Sequence, residues 1–144
     1  MRGGSLGVVM RLTKRQSRSG AAMVEMALVL PVLLILMLGL IEYGWVFVKI
    51  SQINLAARHG VRVAVRPYAT DDDVKTAVKD MMLHHVGLAE SKYTLTFTSL
   101  AVEVGQPVTV HITVNYNQLS LTGTGFLPLP DKLQGHGIMV KEGL

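Results

Sequence analysis

Cysteine is absent from the 144-residue chain. This absence excludes a disulfide framework, a cysteine nucleophile, a thiolate metal site and lipid attachment through cysteine. It leaves the redox compartment open, because a protein without thiols is indifferent to it. The chain has the length of about one domain, and nearly half of its residues are apolar. Those apolar residues are concentrated near the N-terminus.

Acidic residues are absent from the first twenty positions, which carry five basic residues: Arg2, Arg11, Lys14, Arg15 and Arg18. Such a segment resists translocation, so we expect a basic leader over residues 1–20 and a cytoplasmic N-terminus. A patch that binds nucleic acid or anionic lipid is the alternative interpretation. The segment lacks the interleaved aromatic residues of such patches, so no nucleic-acid partner is expected. Met1 and Met10 both remain open as the start of translation.

Polar side chains are absent from Ala21 to Ile41, with the single exception of Glu25. About 20 apolar residues span the hydrocarbon core of a bilayer as a helix. We therefore predict a transmembrane helix over residues 21–42 in contact with membrane lipid, with Tyr43 and Trp45 at the interface. A cleaved secretory signal would need small residues after the apolar run, whereas bulky ones follow here. A buried helix of a soluble protein fits this unbroken length poorly.

The helical pattern continues beyond the apolar run as far as Pro67. Residues 43–66 are predicted to form an amphipathic stalk, so that one helix over residues 21–65 would be about 65 Å long. Apolar residues recur along one face of the stalk, at Ile50, Ile53, Ala57 and Val61. This stripe needs a cover, and we expect helices of partner proteins to supply it.

Residues 67–144 are predicted to form a small soluble α+β domain. The stretch TDDDVKTAVKDMMLHHVG has a helical apolar period, a capping box at Thr70 and Asp73, and Gly87 as a stop. The acidic run at residues 71–73 lacks the alternating ligands and closing glutamate of an EF-hand loop. We therefore interpret this run as helix capping and not as a calcium site.

Two stretches after this helix alternate apolar and polar residues, YTLTFTS at residues 93–99 and VTVHITVNY at residues 108–116. Both are predicted to be half-buried antiparallel strands, joined by a turn at residues 105–107. Residues 119–135 have a loop-like composition, and the tail at residues 136–143 is a candidate third strand. The predicted fold is therefore α+β, with a long N-terminal transmembrane helix continuing into a stalk, a second short helix and a small antiparallel sheet of two to three strands.

No catalytic or metal-binding motif is visible. None of the five histidines lies four residues from another on a helix, so a metal pair of the HExxH type is absent. A nucleophile elbow and a phosphate-binding glycine loop are absent as well. We expect no enzyme activity, no cofactor and no metal, although a triad scattered along the sequence stays open.

Glu25 is the unusual residue of the apolar run. A carboxylate in lipid costs a few kcal/mol, so it usually has a partner. Cleavage between Gly20 and Ala21 would create an α-amino group one helical turn from Glu25. Between parallel helices offset along their axes, the amine of one chain could pair with Glu25 of the next and set the register of assembly. Glycine at the scissile position suits a peptidase because it places no side chain in the way.

Basic residues, then Gly20, then AAMVEMALVLPVLLILMLGLIEYG resemble the class III signal of type IV pilins and pseudopilins. The longer stretch from Gly20 to Phe47, followed by AARHGVRVAV, is similar to TadE-type minor pseudopilins of the tight-adherence (Tad/Flp) pilus system. The resemblance covers about Ser17 to Val65. Met26 departs from it, since members commonly carry an aromatic residue there.

The resemblance implies a pilin-like fold, cleavage after Gly20 by a prepilin peptidase and an assembly role for Glu25. It also implies single-pass insertion in the bacterial inner membrane, with the C-terminal domain in the periplasm and a role in initiating or supporting pilus assembly. Expected partners are other pilins or minor pseudopilins and the inner-membrane assembly platform. Entry into the fibre and methylation of Ala21 stay open.

Two other functions remain as alternatives. One is a single-pass envelope protein that binds another partner and is not processed at Gly20. The other is a periplasmic enzyme with an uncleaved anchor. Cleavage at Gly20 separates the pseudopilin from both.

Overall fold

A computed structural model describes residues 18–121, 128–141 and 143. The α+β class is confirmed, and its sheet has three strands. The elements in chain order are α1 (Arg18–Ala64), α2 (Asp71–Met81), a π turn (Met82–Val86), a 3-10 turn (Glu90–Lys92), β1 (Tyr93–Phe97), β2 (Pro107–Asn115), a second 3-10 turn (Tyr116–Gln118) and β3 (Lys132–Val140).

The first helix has 47 residues and contains Pro31, so the prediction of one long helix is confirmed. Of the predicted leader, residues 1–17 lie outside the described residues, and Arg18–Gly20 begin α1. The chain divides into two compact units, Met1–Met37 and Leu38–Leu144. In the first unit, every residue from Gly20 to Met37 is exposed in the single chain.

The second helix begins with the predicted capping box. The Thr70 hydroxyl accepts a hydrogen bond from the Asp73 backbone N–H, and the Asp73 carboxylate accepts one from the Thr70 backbone N–H at 2.9 Å. Hydrogen bonds from the hydroxyl and then the backbone of Thr70 hold the pKa of Asp73 below its usual range. Capping as the role of the acidic run is thus confirmed. The helix ends through a π turn at Gly87, whose φ of 79° is in the left-handed region.

The sheet is antiparallel throughout, in the order β1-β2-β3. Both predicted strands are confirmed, and the candidate third strand is present but begins earlier than its predicted start at residue 136. The loop prediction for residues 119–135 is therefore wrong at Lys132–Gly135, which belong to β3. Gly135 and Gly137 occupy inward positions of β3. Because glycine has no apolar side chain, these positions lack the alternation of apolar and polar residues that marks a half-buried strand in a sequence.

The apolar stripe of the stalk is buried inside the chain. Ile53, Ala57 and Val61 are at most 1 % exposed, and they belong to one core with the inner residues of β2 and with α2. The fully buried members from β2 and α2 are Val108, Val110, Ile112, Val114, Val74 and Val78. The expectation that partner helices cover this stripe is wrong, because the sheet of the same chain already covers it.

Contact between β3 and α1 depends on two glycines. A Cβ built on Gly137 would lie 2.7 Å from the backbone oxygen of Ala57, and one on Gly135 would lie 2.8 Å from that of Ile53. Real side chains do not approach a backbone so closely, so only glycine fits at these positions. Between them, the His136 backbone N–H donates to Asn54 Oδ1 at 3.1 Å. This bond satisfies a backbone donor at the edge of the sheet.

We predict that Gly137→Ala lowers the free energy of unfolding by about 1–3 kcal/mol, because the added methyl group must push β3 off the helix backbone. The measurement is thermal or denaturant unfolding of the full chain in detergent. Gly44→Ala is the control, since a Cβ there meets nothing within 4 Å and alanine favours a helix. Equal stability of Gly137→Ala and wild type would refute the close contact.

Candidate functional site

The sequence-predicted site residues lie in the first turns of α1. The Gly20–Ala21 peptide bond follows the start of the helix at Arg18 closely, and Glu25 lies one turn beyond Ala21. All three residues are exposed in the single chain. Ala21 and Glu25 are four residues apart, so they share one face of the helix.

Glu25 stands on a surface that is otherwise apolar. Its neighbours Val24 and Met26 are 63 % and 64 % exposed. Within the described residues, Glu25 makes no hydrogen bond and no ion pair. Between Gly20 and Met37 the surface of α1 is thus apolar apart from one carboxylate, and no described residue of the chain supplies a partner for that charge.

A second glutamate of the same helix, Glu42, is buried and only 1 % exposed. Its carboxylate accepts hydrogen bonds from the Tyr116 hydroxyl, from Ser120 Oγ at 3.2 Å and from the Leu121 backbone N–H at 3.2 Å. A buried carboxylate is tolerated when hydrogen bonds of this kind replace its hydration. Glu42 therefore ties α1 to the segment that follows β2.

Tyr116 supplies the hydroxyl of this cluster. Burial, and then its hydrogen bond to Glu42, raise the pKa of Tyr116 above the ordinary tyrosine value of 10.0. The hydroxyl therefore keeps its proton to higher pH than an exposed tyrosine would, and it stays a donor to the carboxylate.

Two aromatic side chains next to Glu42 hold the same segment by its backbone. Trp45 Nε1–H donates to the Leu119 carbonyl at 2.7 Å, and the Tyr43 hydroxyl donates to the Pro128 carbonyl at 2.9 Å. The sequence predicts these two residues at a membrane interface, a placement that stays a prediction. Their polar atoms are engaged within the chain. We refer to Glu42, Tyr43 and Trp45 with their partners as the polar clamp.

Lys49 extends the polar clamp toward α2. It is 8 % exposed, its ammonium donates to the Val86 carbonyl at 2.9 Å, and it lies 4.6 Å from the centre of the Trp45 ring. Burial lowers the pKa of Lys49 below its usual value. The carbonyl and the face of the indole both favour a cation, which offsets part of the cost of burying one.

Sequence reasoning missed the polar clamp, because its partners lie far apart along the chain. Glu42 and Tyr116 are 74 residues apart, and so are Trp45 and Leu119. One signal was available: an acid at the end of an apolar run, with tyrosine and tryptophan within the next three residues. In the described part of the chain, no group of three or more His, Asp or Glu residues could hold a metal ion.

Comparison with known families gives one match. A family model described as TadE-like protein matches residues 20–62. The matched region begins at the predicted cleavage position, includes Glu25 and Glu42, and ends two residues before the end of α1. The searches of curated proteins and of solved structures found no significant match.

Replacement of Glu42 by alanine tests the polar clamp. We expect Glu42→Ala to lower the free energy of unfolding by about 2–3 kcal/mol, because it leaves the buried Tyr116 hydroxyl and the part-buried Leu121 backbone N–H without their acceptor. Unfolding followed by Trp45 fluorescence reports on the same region. Glu103→Ala removes an exposed glutamate and should change stability by less than about 0.5 kcal/mol. Similar losses for both variants would contradict a specific role of Glu42.

Proposed function

We propose that the chain, whose residues 20–62 match a TadE-like family model and whose apolar helix could anchor it in a membrane, acts as a minor pseudopilin of the Tad pilus system. In this proposal a prepilin peptidase cleaves after Gly20, and the mature chain supports or initiates pilus assembly for surface adherence. The observation that carries the proposal is the position of the family match, which starts at Gly20 and follows α1 to residue 62.

The proposed cleavage hydrolyses the Gly20–Ala21 bond and leaves a carboxylate on Gly20 and an amine on Ala21. In the described structure this bond belongs to the first turn of α1. A peptidase needs the scissile bond in an extended form, so the first turn must unwind. This step is easily reached, since helix ends fray at little free-energy cost and Gly20 is a weak helix former.

The exposed Glu25 is the proposed assembly residue. A lone carboxylate in lipid is unfavourable, and the amine on Ala21 of a neighbouring mature chain would carry the opposite charge. Pairing of these groups between two parallel helices neutralises both charges. It also fixes how far one helix is shifted along the other, because a one-turn slip would separate the pair by about 5.4 Å.

The proposed location is the bacterial inner membrane, with a single span, the N-terminus in the cytoplasm and the C-terminal domain, residues 67–144, in the periplasm. The five basic residues before the span support this orientation. The part of α1 that follows Met37 also leaves large apolar side chains exposed. Leu40 is 75 % exposed, Phe47 71 % and Leu55 51 %, and these offer contacts to other pilins, minor pseudopilins or the assembly platform.

The mature N-terminus tests the processing step. We expect mass spectrometry of the protein from membranes to find a chain that begins at Ala21, and a chain that retains Gly20 in cells without the prepilin peptidase. Gly20→Val should block cleavage, because it places a branched side chain at the scissile position. A chain that retains Gly20 in normal cells would overturn the proposal in favour of a single-pass anchor that binds another envelope partner.

The assembly role of Glu25 predicts a separate defect. Glu25→Gln should leave membrane insertion intact but reduce co-purification with pilin partners and the number of pili, since the neutral amide cannot neutralise an amine in lipid. Processing at Ala21 must be verified in the same samples, so that failed cleavage is not mistaken for failed assembly. Glu103→Gln, in the C-terminal unit, is the matched control. Normal piliation of Glu25→Gln would exclude the proposed pairing.

A further inference from the structure

The outer face of the sheet brings together two histidines that are 25 residues apart in the sequence. His111 of β2 is paired with His136 of β3 in the antiparallel register. Both residues are exposed and belong to the sheet face opposite the core, since Val110, Ile112, Gly135 and Gly137 occupy the buried positions of the two strands.

The hydrogen-bond pattern shows which kind of pair they form. The Tyr116 backbone N–H donates to the Asp131 carbonyl, and the Lys141 backbone N–H donates to the Gln106 carbonyl. These two hydrogen-bonded pairs lie at the two ends of the β2–β3 ladder, and between them hydrogen-bonded and non-hydrogen-bonded pairs alternate. The pair His111–His136 falls between them, and the His136 N–H points away from β2 to Asn54. His111 and His136 are therefore a non-hydrogen-bonded pair, in which side chains of neighbouring strands lie closest.

The two rings already face each other. Their centroids are 6.4 Å apart, and their planes are inclined by 29°. Within the described residues, neither imidazole makes a hydrogen bond or an ion pair that would have to be broken. Two free imidazoles held at this spacing can donate a nitrogen each to one ion after small rotations about their side-chain bonds.

We propose that His111 and His136 form a two-histidine site for a divalent transition-metal ion on the outer face of the sheet. Imidazole is a ligand for Cu²⁺, Ni²⁺ and Zn²⁺, and the general affinity order places Cu²⁺ highest among them. The described strand positions on this face include Thr96, Thr109 and Thr113 and carry no carboxylate, so Ca²⁺ and Mg²⁺, which require oxygen ligands of that kind, are not expected. Water completes the coordination of the bound ion.

The charges nearby set a limit on the affinity. Arg58 and Arg62 line a groove along the edge of β3 that also includes His136. They belong to α1, which covers the inner face of the sheet, whereas the imidazoles stand on the outer face. Their positive charge opposes a cation bound beside His136, and solvent screens part of this repulsion. This predicts that Arg58→Gln binds metal at least as tightly as wild type.

The site is independent of the proposed function. Neither histidine belongs to the matched family region, which ends at residue 62. Loss of metal binding would leave cleavage before Ala21 unaffected, and loss of that cleavage would leave metal binding unaffected.

Paramagnetic broadening by Cu²⁺ is the direct test. The full-length chain, purified in detergent without a polyhistidine tag, is labelled at histidine and titrated with substoichiometric Cu²⁺. We expect the ring resonances of His111 and His136 to broaden together, ahead of those of His59, His84 and His85. Broadening confined to the adjacent pair His84–His85, or none at equimolar Cu²⁺, would overturn the proposal. This measurement uses the wild-type chain and does not depend on the folding of any variant.

Variants then measure the contribution of each ligand. His111→Asn and His136→Asn should each weaken Cu²⁺ binding at least about tenfold, because the second ligand binds the ion intramolecularly once the first is attached. The double variant His84→Asn/His85→Asn is the matched control and should keep the wild-type affinity. Melting temperatures without metal verify that all variants fold. An affinity of His111→Asn or His136→Asn within twofold of wild type would refute a two-histidine site.

Discussion

The direct contact between β3 and the backbone of α1 determines how the C-terminal unit is built. Gly135 and Gly137 let the strand approach Ile53 and Ala57 at distances that no side chain allows. At that separation the small residues Ala56 and Ala57 are fully buried, and the valines of β2 reach the same core as α2. A larger residue in β3 would lift the whole sheet, because β2 and β1 are attached to α1 through β3 and the core it helps to enclose.

This contact also decides which parts of α1 remain available to partners. Ile53, Ala57 and Val61 are removed from any outside contact, whereas Phe47 and Leu55 on the other side of the helix stay exposed. Between Gly20 and Met37 every residue is exposed, so all sides of this part of the helix are accessible in the single chain. A helix that packs on α1 could therefore contact any side of the apolar run. Along the stalk it could contact only the side that carries Phe47 and Leu55. Such a restriction favours a defined orientation of the partner.

The sequence predicts local structure well here because the signals are local. The Thr70–Asp73 capping box, the left-handed Gly87 and the alternation in β1 and β2 each depend on a few neighbouring residues, and the structure confirms them. Two features escaped prediction for physical reasons. After Leu133, the next two inward positions of β3 are Gly135 and Gly137, so the strand has no sustained apolar period. The acceptor and donor of the polar clamp are 74 residues apart, and only the tertiary fold brings them together.

The two glutamates of α1 present the same physical problem with different solutions. Both interrupt an apolar stretch, and each must replace the hydration that its carboxylate loses, Glu42 on burial in the fold and Glu25 in the proposed membrane location. Glu42 does so within the chain, through a tyrosine hydroxyl, a serine hydroxyl and a backbone N–H. Glu25 has no such donor among the described residues, and its helical neighbours are apolar. A carboxylate kept without an internal donor points to a partner on another molecule, and the amine that cleavage would create at Ala21 has the charge and the size to be that partner.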